Sequence, residues 1–375
     1  MLSLFLLLPA AIALAYQAVA LLACLVFLER SRIRRSKPIP PHTPPVSILK
    51  PVRGLDEALD AAIRSHLDQD YPEYELLLGV QDEDDPAVPV IRAALADQPA
   101  ARARLVFCST KTANAKVGSL IDLAREAKHS VLIVNDADIR VPRDYLRRVA
   151  APLQSSRAGV VTCLYRASSA TLAGAFECLG IAVDFIPSTL VAPLVGVQEF
   201  GLGSTLCFRR ADLEAAGGFE AFADYIADDY QLARRITALG RHAVMSEVIV
   251  DTHLAGPDWR AVWRHQLRWA RTIRVSRPGG YAGLPVTHAG VWALANLAVG
   301  NVGAATALWV ARSSMGAVAG FAVLRYWPAL FLAPLLPLWD VWAFVVWSAG
   351  LAGRTAWWRG RRITLSRDGR IVSAQ

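Results

Sequence analysis

The chain has 375 residues, a formal net charge of +8 and 54% hydrophobic residues, an apolar content above the usual range for a water-soluble domain that points to membrane segments. Its Lys and Arg residues gather beside apolar segments rather than in one dense tract, which argues against nucleic acid and for an anionic membrane surface as the partner. The five cysteines, Cys24, Cys108, Cys163, Cys178 and Cys207, show neither metal-ligand spacing nor a disulfide framework, so a reduced, cytosolic environment is expected.

Residues 1–28 carry no charge and are long enough to span a bilayer. They lack a basic leader and an obvious small-residue cleavage site, and so read as an uncleaved anchor. Arg30, Arg32, Arg34, Arg35 and Lys37 follow, and the positive-inside rule puts the next domain in the cytoplasm. Residues 29–45 form a basic, proline-rich linker.

From Val46 to residue 255 strand and helix patterns alternate: strands at 46–49, 74–80 and 105–108, helices at 55–67, 86–95 and 116–127. Short connections in this rhythm predict an α/β domain with a mostly parallel, helix-covered sheet of Rossmann-like type. No Gly-x-Gly-x-x-Gly is present, which disfavours a dinucleotide cofactor. Ser130-Val-Leu-Ile-Val-Asn-Asp136-Ala-Asp138 is the stretch around which the domain is organised. A doubly buried strand ends there in two carboxylates, at the edge where such sheets bind ligands. Asp136 and Asp138 suit a hard divalent cation that holds a diphosphate; the alternative is a turn in which Asp138 caps a helix beginning near Pro142. Asp82, Asp84 and Asp85 close the second strand, and a carboxylate there can accept the imide N–H of a uracil ring. Lys50, Arg53 and Lys116 supply cations near a phosphate. Further on, 201–208 reads as a glycine turn feeding a strand, and Asp228-Asp229-Tyr230 opens a helix, one of whose carboxylates can be a general base or a cap.

Residues 172–186 look helical and largely apolar, with Glu177 and Asp184 embedded. Residues 259–274 combine Trp259, Trp263 and Trp269 with five arginines, the composition of an interfacial helix, and 256–285 is read as an amphipathic interfacial region. In the C-terminal region, 286–353, spans are expected at 286–311 and 327–353, with 315–324 re-entrant or joined to a neighbour. Asp340 lies inside the second span and is either functional or matched by a helix partner. Residues 354–375 read as a basic cytoplasmic tail.

Taken together, Asp85 before Pro86, Asp136-Ala-Asp138, Asp228-Asp229-Tyr230 and Arg268-Trp269, in this order, resemble a membrane-bound inverting glycosyltransferase of the family 2-like group with a GT-A fold. Lys50-Pro-Val-Arg-Gly, Gln81-Asp-Glu-Asp-Asp-Pro-Ala and Gly217-Gly-Phe with Tyr225-Ile-Ala-Asp-Asp-Tyr bring the resemblance closer to the ceramide glucosyltransferase group and its bacterial relatives that glycosylate hopanoid lipids. The resemblance implies a UDP-sugar donor, a divalent metal (Mg2+ or Mn2+) and a lipid acceptor. It implies donor-binding roles for Lys50, Pro51, Arg53, Asp85, Lys116 and Asp136, with Asp85 at the uridine. Asp136 and Asp138 would hold the metal, and Asp229 would be the base. Asp228, His265, Arg268 and Trp269 would lie on the acceptor side. His265 stands where the family usually has Gln or Arg, and residues 180–188 lack the His of metazoan relatives. Three other readings are a processive polysaccharide synthase, a haloacid-dehalogenase-type phosphatase and a non-catalytic membrane scaffold. The synthase normally has more membrane helices, the phosphatase places Asp-x-Asp on its first strand, and the scaffold has no need of three acidic clusters.

Overall fold

The computed structural model describes residues 2–36, 43–96, 98, 102–358 and 360–374. Most of the proline-rich spacer expected at 38–45 lies outside the described residues. The chain divides into two compact units, one made of Ile33–Tyr165 and Gln198–Ala255, the other of Met1–Arg32, Arg166–Val197 and Gly256–Gln375.

The first unit is built on seven strands: β1 (Val46–Pro51), β2 (Tyr74–Val80), β3 (Ala103–Phe107), β4 (Val131–Val134), β5 (Ala158–Ser168), β6 (Leu206–Arg209) and β7 (His242–His253). They form one sheet in the order β3-β2-β1-β4-β6-β5-β7. β1 runs parallel to β2 and β4, and β2 parallel to β3, whereas β6 is antiparallel to β4 and β5. Strands β1, β2 and β4 are buried along their whole lengths, as a sheet covered on both faces requires. Side-chain alternation sorts them between two cores. Ile48, Leu76 and Leu78 join Leu59, Ile63, Val88 and Ile91 of helices Leu59–Leu67 and Ala87–Leu95 on one face. Leu49, Leu77, Leu132 and Val134 join Val117, Leu120 and Leu123 of helix Ala115–Glu126 on the other. Because Leu49 pairs with Val134, Lys50 and the Asn135–Asp138 turn leave the sheet side by side.

The second unit is mainly helical. Among the described residues four helices are long and apolar enough to cross a membrane: Ser3–Ser36, Leu172–Val195, Val302–Val323 and Pro328–Leu351. Several expectations change here. The first helix does not stop at residue 28 but carries Arg30 to Arg35 as helical residues. Residues 166–197 leave the α/β unit, so the domain expected at 46–255 is interrupted by Leu172–Val195, whose Glu177 and Asp184 disguise its length. The span expected at 286–311 is broken. Helix Ala289–Ala298 ends near Gly300, which takes a left-handed φ of +82°, and Asn301 N–H donates back to the Asn296 carbonyl at 2.9 Å. A new helix begins at Val302 and absorbs the 315–324 segment. Helix Trp259–Ser276 turns part of its aromatic stripe inward: Trp263 packs edge-on to Trp342 at 5.5 Å, and Trp269 lies 5.3 Å from Phe185. The basic tail is folded, as β8 (Thr355–Trp358), β9 (Arg361–Leu365) and β10 (Ile371–Ala374) form a three-stranded antiparallel sheet.

Asp340 is matched. Its carboxylate takes a bidentate pair from Arg312 (Nη2 to Oδ1 2.7 Å, Nε to Oδ2 3.0 Å) and a third donor from Gly290 N–H at 2.7 Å. Both side chains are completely buried, and Arg312 Nη1 also reaches the Val183 carbonyl at 2.7 Å. A buried pair partnered in this way ties four apolar segments to one register.

Candidate active site

The acidic and basic residues singled out in the α/β unit meet at the carboxyl end of β4. Asp136 follows the buried Asn135, whose amide donates to the Ser204 carbonyl at 2.6 Å and to Tyr145 OH at 3.0 Å. Asn135 thereby locks the end of β4 against the chain entering β6. Lys116, one residue inside helix Ala115–Glu126, bridges Asp136 (Nζ to Oδ1 2.8 Å) and Asp228 (Nζ to Oδ2 3.0 Å). Asn114 caps that helix by accepting from Lys116 N–H at 3.1 Å, and its amide donates to the Tyr225 carbonyl at 2.8 Å and to Asp228 at 3.4 Å. Helix Asp228–Thr237 is thus held at its start by Lys116 and Asn114, and Asp228 spends its carboxylate on them instead of capping.

Asp229 is fixed at both oxygens, accepting from Gly203 N–H at 3.0 Å and from Tyr230 N–H at 2.7 Å. Burial and the neighbouring Asp228 push its carboxyl up to about 6, against the pull of Lys116. Burial alone would lower the Lys116 amine, but Asp136, Asp228 and Asp229 together raise it, so it is a permanent cation. Gly203 sits at the meeting point. A Cβ built there would lie 2.9 Å from Asp136 Oδ2, 3.5 Å from Asp229 Oδ2 and 3.6 Å from Lys116 Nζ.

Asp138 accepts a short hydrogen bond from Thr252 Oγ1 of β7. Helix Tyr145–Ala150 starts after Asp144 with no side-chain cap, so the capping alternative for Asp138 is not realised. Burial and Asp136 hold the Asp138 carboxyl above its ordinary range. Lys50 is wholly buried, and its Nζ donates to the carbonyls of Asp136 (2.8 Å) and Ile139 (3.2 Å), pinning the turn that carries both carboxylates. Burial brings its amine down to about 7, although Asp138 and Asp136 oppose this. Asp85 receives Gly54 N–H on both oxygens (3.0 and 2.9 Å) and Ala87 N–H at 2.9 Å, joining the loops after β1 and β2. Pro51 is buried beneath that junction, whereas Arg53 is exposed; Asp82 and Asp84 form an exposed turn.

A glycosyl transferase family 21 model matches residues 5–371. The chain belongs to glycosyl transferase family 21. Among relatives of this family 21 chain, ceramide glucosyltransferase 1 of Caenorhabditis elegans is 28% identical over 210 residues, covering 55% of this chain and 45% of the relative. The ceramide glucosyltransferase of Komagataella phaffii is 29% identical over 149 residues, covering 38% of this chain and 29% of the relative. The family 21 chain therefore matches less than half the length of these relatives. A solved mannosyltransferase from Pyrobaculum calidifontis, in complex with GDP-Man and Mn2+, superposes with a TM-score of 0.54 at 22% identity, covering 92% of this chain and 97% of that one. At that identity the likeness concerns the fold, and the GT-A expectation stands.

In the helical unit, His265, Arg268 and Trp269 share helix Trp259–Ser276. His265 Nδ1 donates to Glu177 at 2.6 Å, and its ring lies 4.7 Å from that of Trp269. The α/β unit brings Lys50, Lys116, Asp136, Asp138, Asp228 and Asp229 together, with Asp85 and Pro51 in the adjoining loops. Sequence reasoning missed Asn114, Gly203 and Thr252 as site residues. Only Gly203, in a Gly-x-Gly-Ser-Thr turn already read as a strand entry, left a usable signal.

Proposed function

We propose that this family 21 enzyme transfers a hexose, glucose or N-acetylglucosamine, from a UDP-sugar to the hydroxyl of a membrane lipid, ceramide-like acceptors first and hopanoid polyols second. The observation that carries the reading is the convergence of Asp136, Asp229 and Lys116 on Gly203 at the carboxyl end of β4. Four apolar helices and the similarity to ceramide glucosyltransferases support a lipid as acceptor. We place the α/β unit in the cytoplasm on the strength of the arginines between Glu29 and Ser36, and the enzyme in a bacterial inner membrane on its resemblance to bacterial enzymes that glycosylate hopanoid lipids.

In this reading Asp229 takes the proton of the acceptor hydroxyl as it attacks the anomeric carbon from the face opposite the leaving diphosphate, giving inversion in one displacement. Its two backbone donors keep the carboxylate aimed, and its raised pKa makes it a stronger base than an ordinary aspartate while leaving it ionised at neutral pH. Lys116 neutralises the Asp136–Asp228 pair, and Lys50 acts on the donor through the turn it holds. The loops tied by Asp85, with Pro51 and Arg53, form the uridine end; His265, Arg268 and Trp269 serve the acceptor side.

Asp136 and Asp138 fit a divalent cation, Mg2+ or Mn2+. Both are hard oxygen donors, and the charge of Asp136 is one cause of the raised Asp138 carboxyl, a repulsion that a cation relieves. Among the described residues no group of three or more His, Cys, Asp or Glu is placed to hold a metal ion, so phosphate oxygens and water would complete the shell. When bound, the cation supplies charge neutralisation for the departing diphosphate.

The deciding experiment incubates membranes containing the protein with labelled UDP-glucose, UDP-N-acetylglucosamine or GDP-mannose and a total lipid extract, and identifies products by mass spectrometry. A glycolipid formed from a UDP-sugar is the expected result. Free sugar alone, or transfer only from GDP-mannose, would overturn the proposal.

A further inference from the structure

Where the last apolar helix ends, the helical unit carries a basic cavity that the transfer reaction does not use. It is an open hollow of about 420 Å³ lined by Arg274, Pro278, Leu351, Gly353, Arg354 and Arg367, with no acidic side chain in the lining. The fold builds it. Gly353 reverses the chain after Leu351 with a left-handed φ of +73°. Arg274 donates to the carbonyls of Leu351 and Gly353 and so anchors its guanidinium in the wall. Leu365 N–H donates to the Arg354 carbonyl at 2.8 Å, which draws the segment carrying Arg367 towards Arg354. The nearby carboxylate, Asp368, is taken by Arg370 at 3.1 Å and by Ser366. Arg354 and Arg367 are both exposed, and neither forms an ion pair among the described residues.

We infer that this cavity is a phosphate-binding site, the phosphate being that of an anionic lipid headgroup or of a free phosphate-bearing solute. Guanidinium forks match the several oxygens of one phosphate better than a single carboxylate, and three arginines line this one cavity. Leu351 is both the last residue of the Pro328–Leu351 helix and part of the lining, which sets the cavity at headgroup depth. Trp357 beside it is 46% exposed, with the Arg264 guanidinium 4.9 Å from its ring centre, as suits an interfacial aromatic. Basic pockets beside helix ends are where membrane proteins take up anionic headgroups.

The test uses the full chain in detergent, titrated separately with dioctanoyl-phosphatidylglycerol, dioctanoyl-phosphatidylcholine and inorganic phosphate. Binding is read by tryptophan fluorescence and by native mass spectrometry. Phosphatidylglycerol should bind and phosphatidylcholine should not. The double variant Arg354→Gln/Arg367→Gln should weaken binding about thirtyfold, the effect of removing two interfacial cations. Arg354→Lys/Arg367→Lys should restore part of it, since the charge returns without the fork, which separates lost charge from lost folding. Arg361→Gln/Arg362→Gln, outside the lining, should change it less than threefold. If inorganic phosphate displaces the lipid at millimolar concentration, the site holds with free phosphate as a source; if it does not, the headgroup is the source. Equal binding of the two lipids, or equal loss in the two Gln variants, would overturn the inference.

Discussion

Adding one methyl group at Gly203 probes the convergence of the site directly. The backbone there is outside the left-handed region, so alanine brings no conformational strain of its own. Its Cβ would stand 2.9 Å from Asp136 Oδ2, and ordinary contact begins near 3.4 Å, so the carboxylate must retreat by about 0.5 Å. It cannot do so freely, because Oδ1 is held by Lys116 at 2.8 Å and Lys116 is held in turn by Asp228 at 3.0 Å. Asp229 Oδ2, at 3.5 Å from the new methyl, stays in place. The perturbation therefore shifts the donor-side carboxylate relative to the base by a fraction of an ångström. Misplacement on the ångström scale costs about a hundredfold in rate, equivalent to about 2.7 kcal/mol of transition-state stabilisation. We expect Gly203→Ala to lower kcat/KM by about thirty- to a hundredfold, with thermal stability shifted by less than about 3 °C because the clash meets side-chain ends and no backbone. Initial rates of glycolipid formation with both substrates varied, beside a melting curve, measure this. A variant within threefold of wild type would refute the convergence of Asp136 and Asp229 on one reacting centre.

Other expectations follow from the same geometry. Asp229→Asn should cut kcat at least about a hundredfold with donor KM near normal, whereas Asp228→Asn should be milder. Because the base is the ionised form of a carboxyl lying at about 6, the rate should fall as pH drops through that value; Asp228→Asn, which removes a like charge, should move that limb to lower pH. Asp136→Ala and Asp138→Ala should each remove most activity, and excess chelator should do the same; full activity in chelator would exclude a metal at this pair. Arg312→Met should strand the buried Asp340 and cost about 3–5 kcal/mol, seen as a lower melting temperature in detergent, and Arg312→Met/Asp340→Leu should recover much of it.

The parallel half of the sheet was legible because its strands are mostly apolar and two of them, β2 and β4, run directly into acidic turns. Residues 74–80 coincide with β2, and the Asp136 run with β4 and its turn. The clusters at Asp85, Asp136 and Asp228 could be ranked because each falls where a strand ends or a helix begins. What failed was long-range. Thr252 reaches Asp138 across 114 positions, and Arg312 reaches Asp340 across 28. No local pattern announces either. β7 was not read because its apolar residues share the strand with His242, Glu247 and His253. The C-terminal sheet left a weak signal that the arginines obscured: Gly360 and Gly369 both take positive φ, and Asp368-Gly369 is a hairpin-type turn. The break near residue 300 lay in Gly300-Asn301, a helix-ending pair inside an otherwise apolar run.

The helix Leu172–Val195 poses a problem for biosynthesis. It leaves from β5 and delivers the chain to β6, and those strands are hydrogen-bonded neighbours in one sheet. Both its ends must therefore finish in the same compartment, so a single pass through the bilayer is topologically forbidden despite its 24 residues and mean hydropathy of 1.8. Insertion machinery responds to composition as a segment emerges, before the sheet exists to object. Asp184 lies at the midpoint of the segment, where an aspartate raises the cost of insertion by about 2.5–3.5 kcal/mol, and Glu177 adds a second charge. We expect these two carboxylates to resist threading while the ribosome is still at work. Replacing both with leucine should strand the second half of the sheet on the wrong side of the membrane, where a glycosylation or protease-protection reporter placed after Gln198 would detect it.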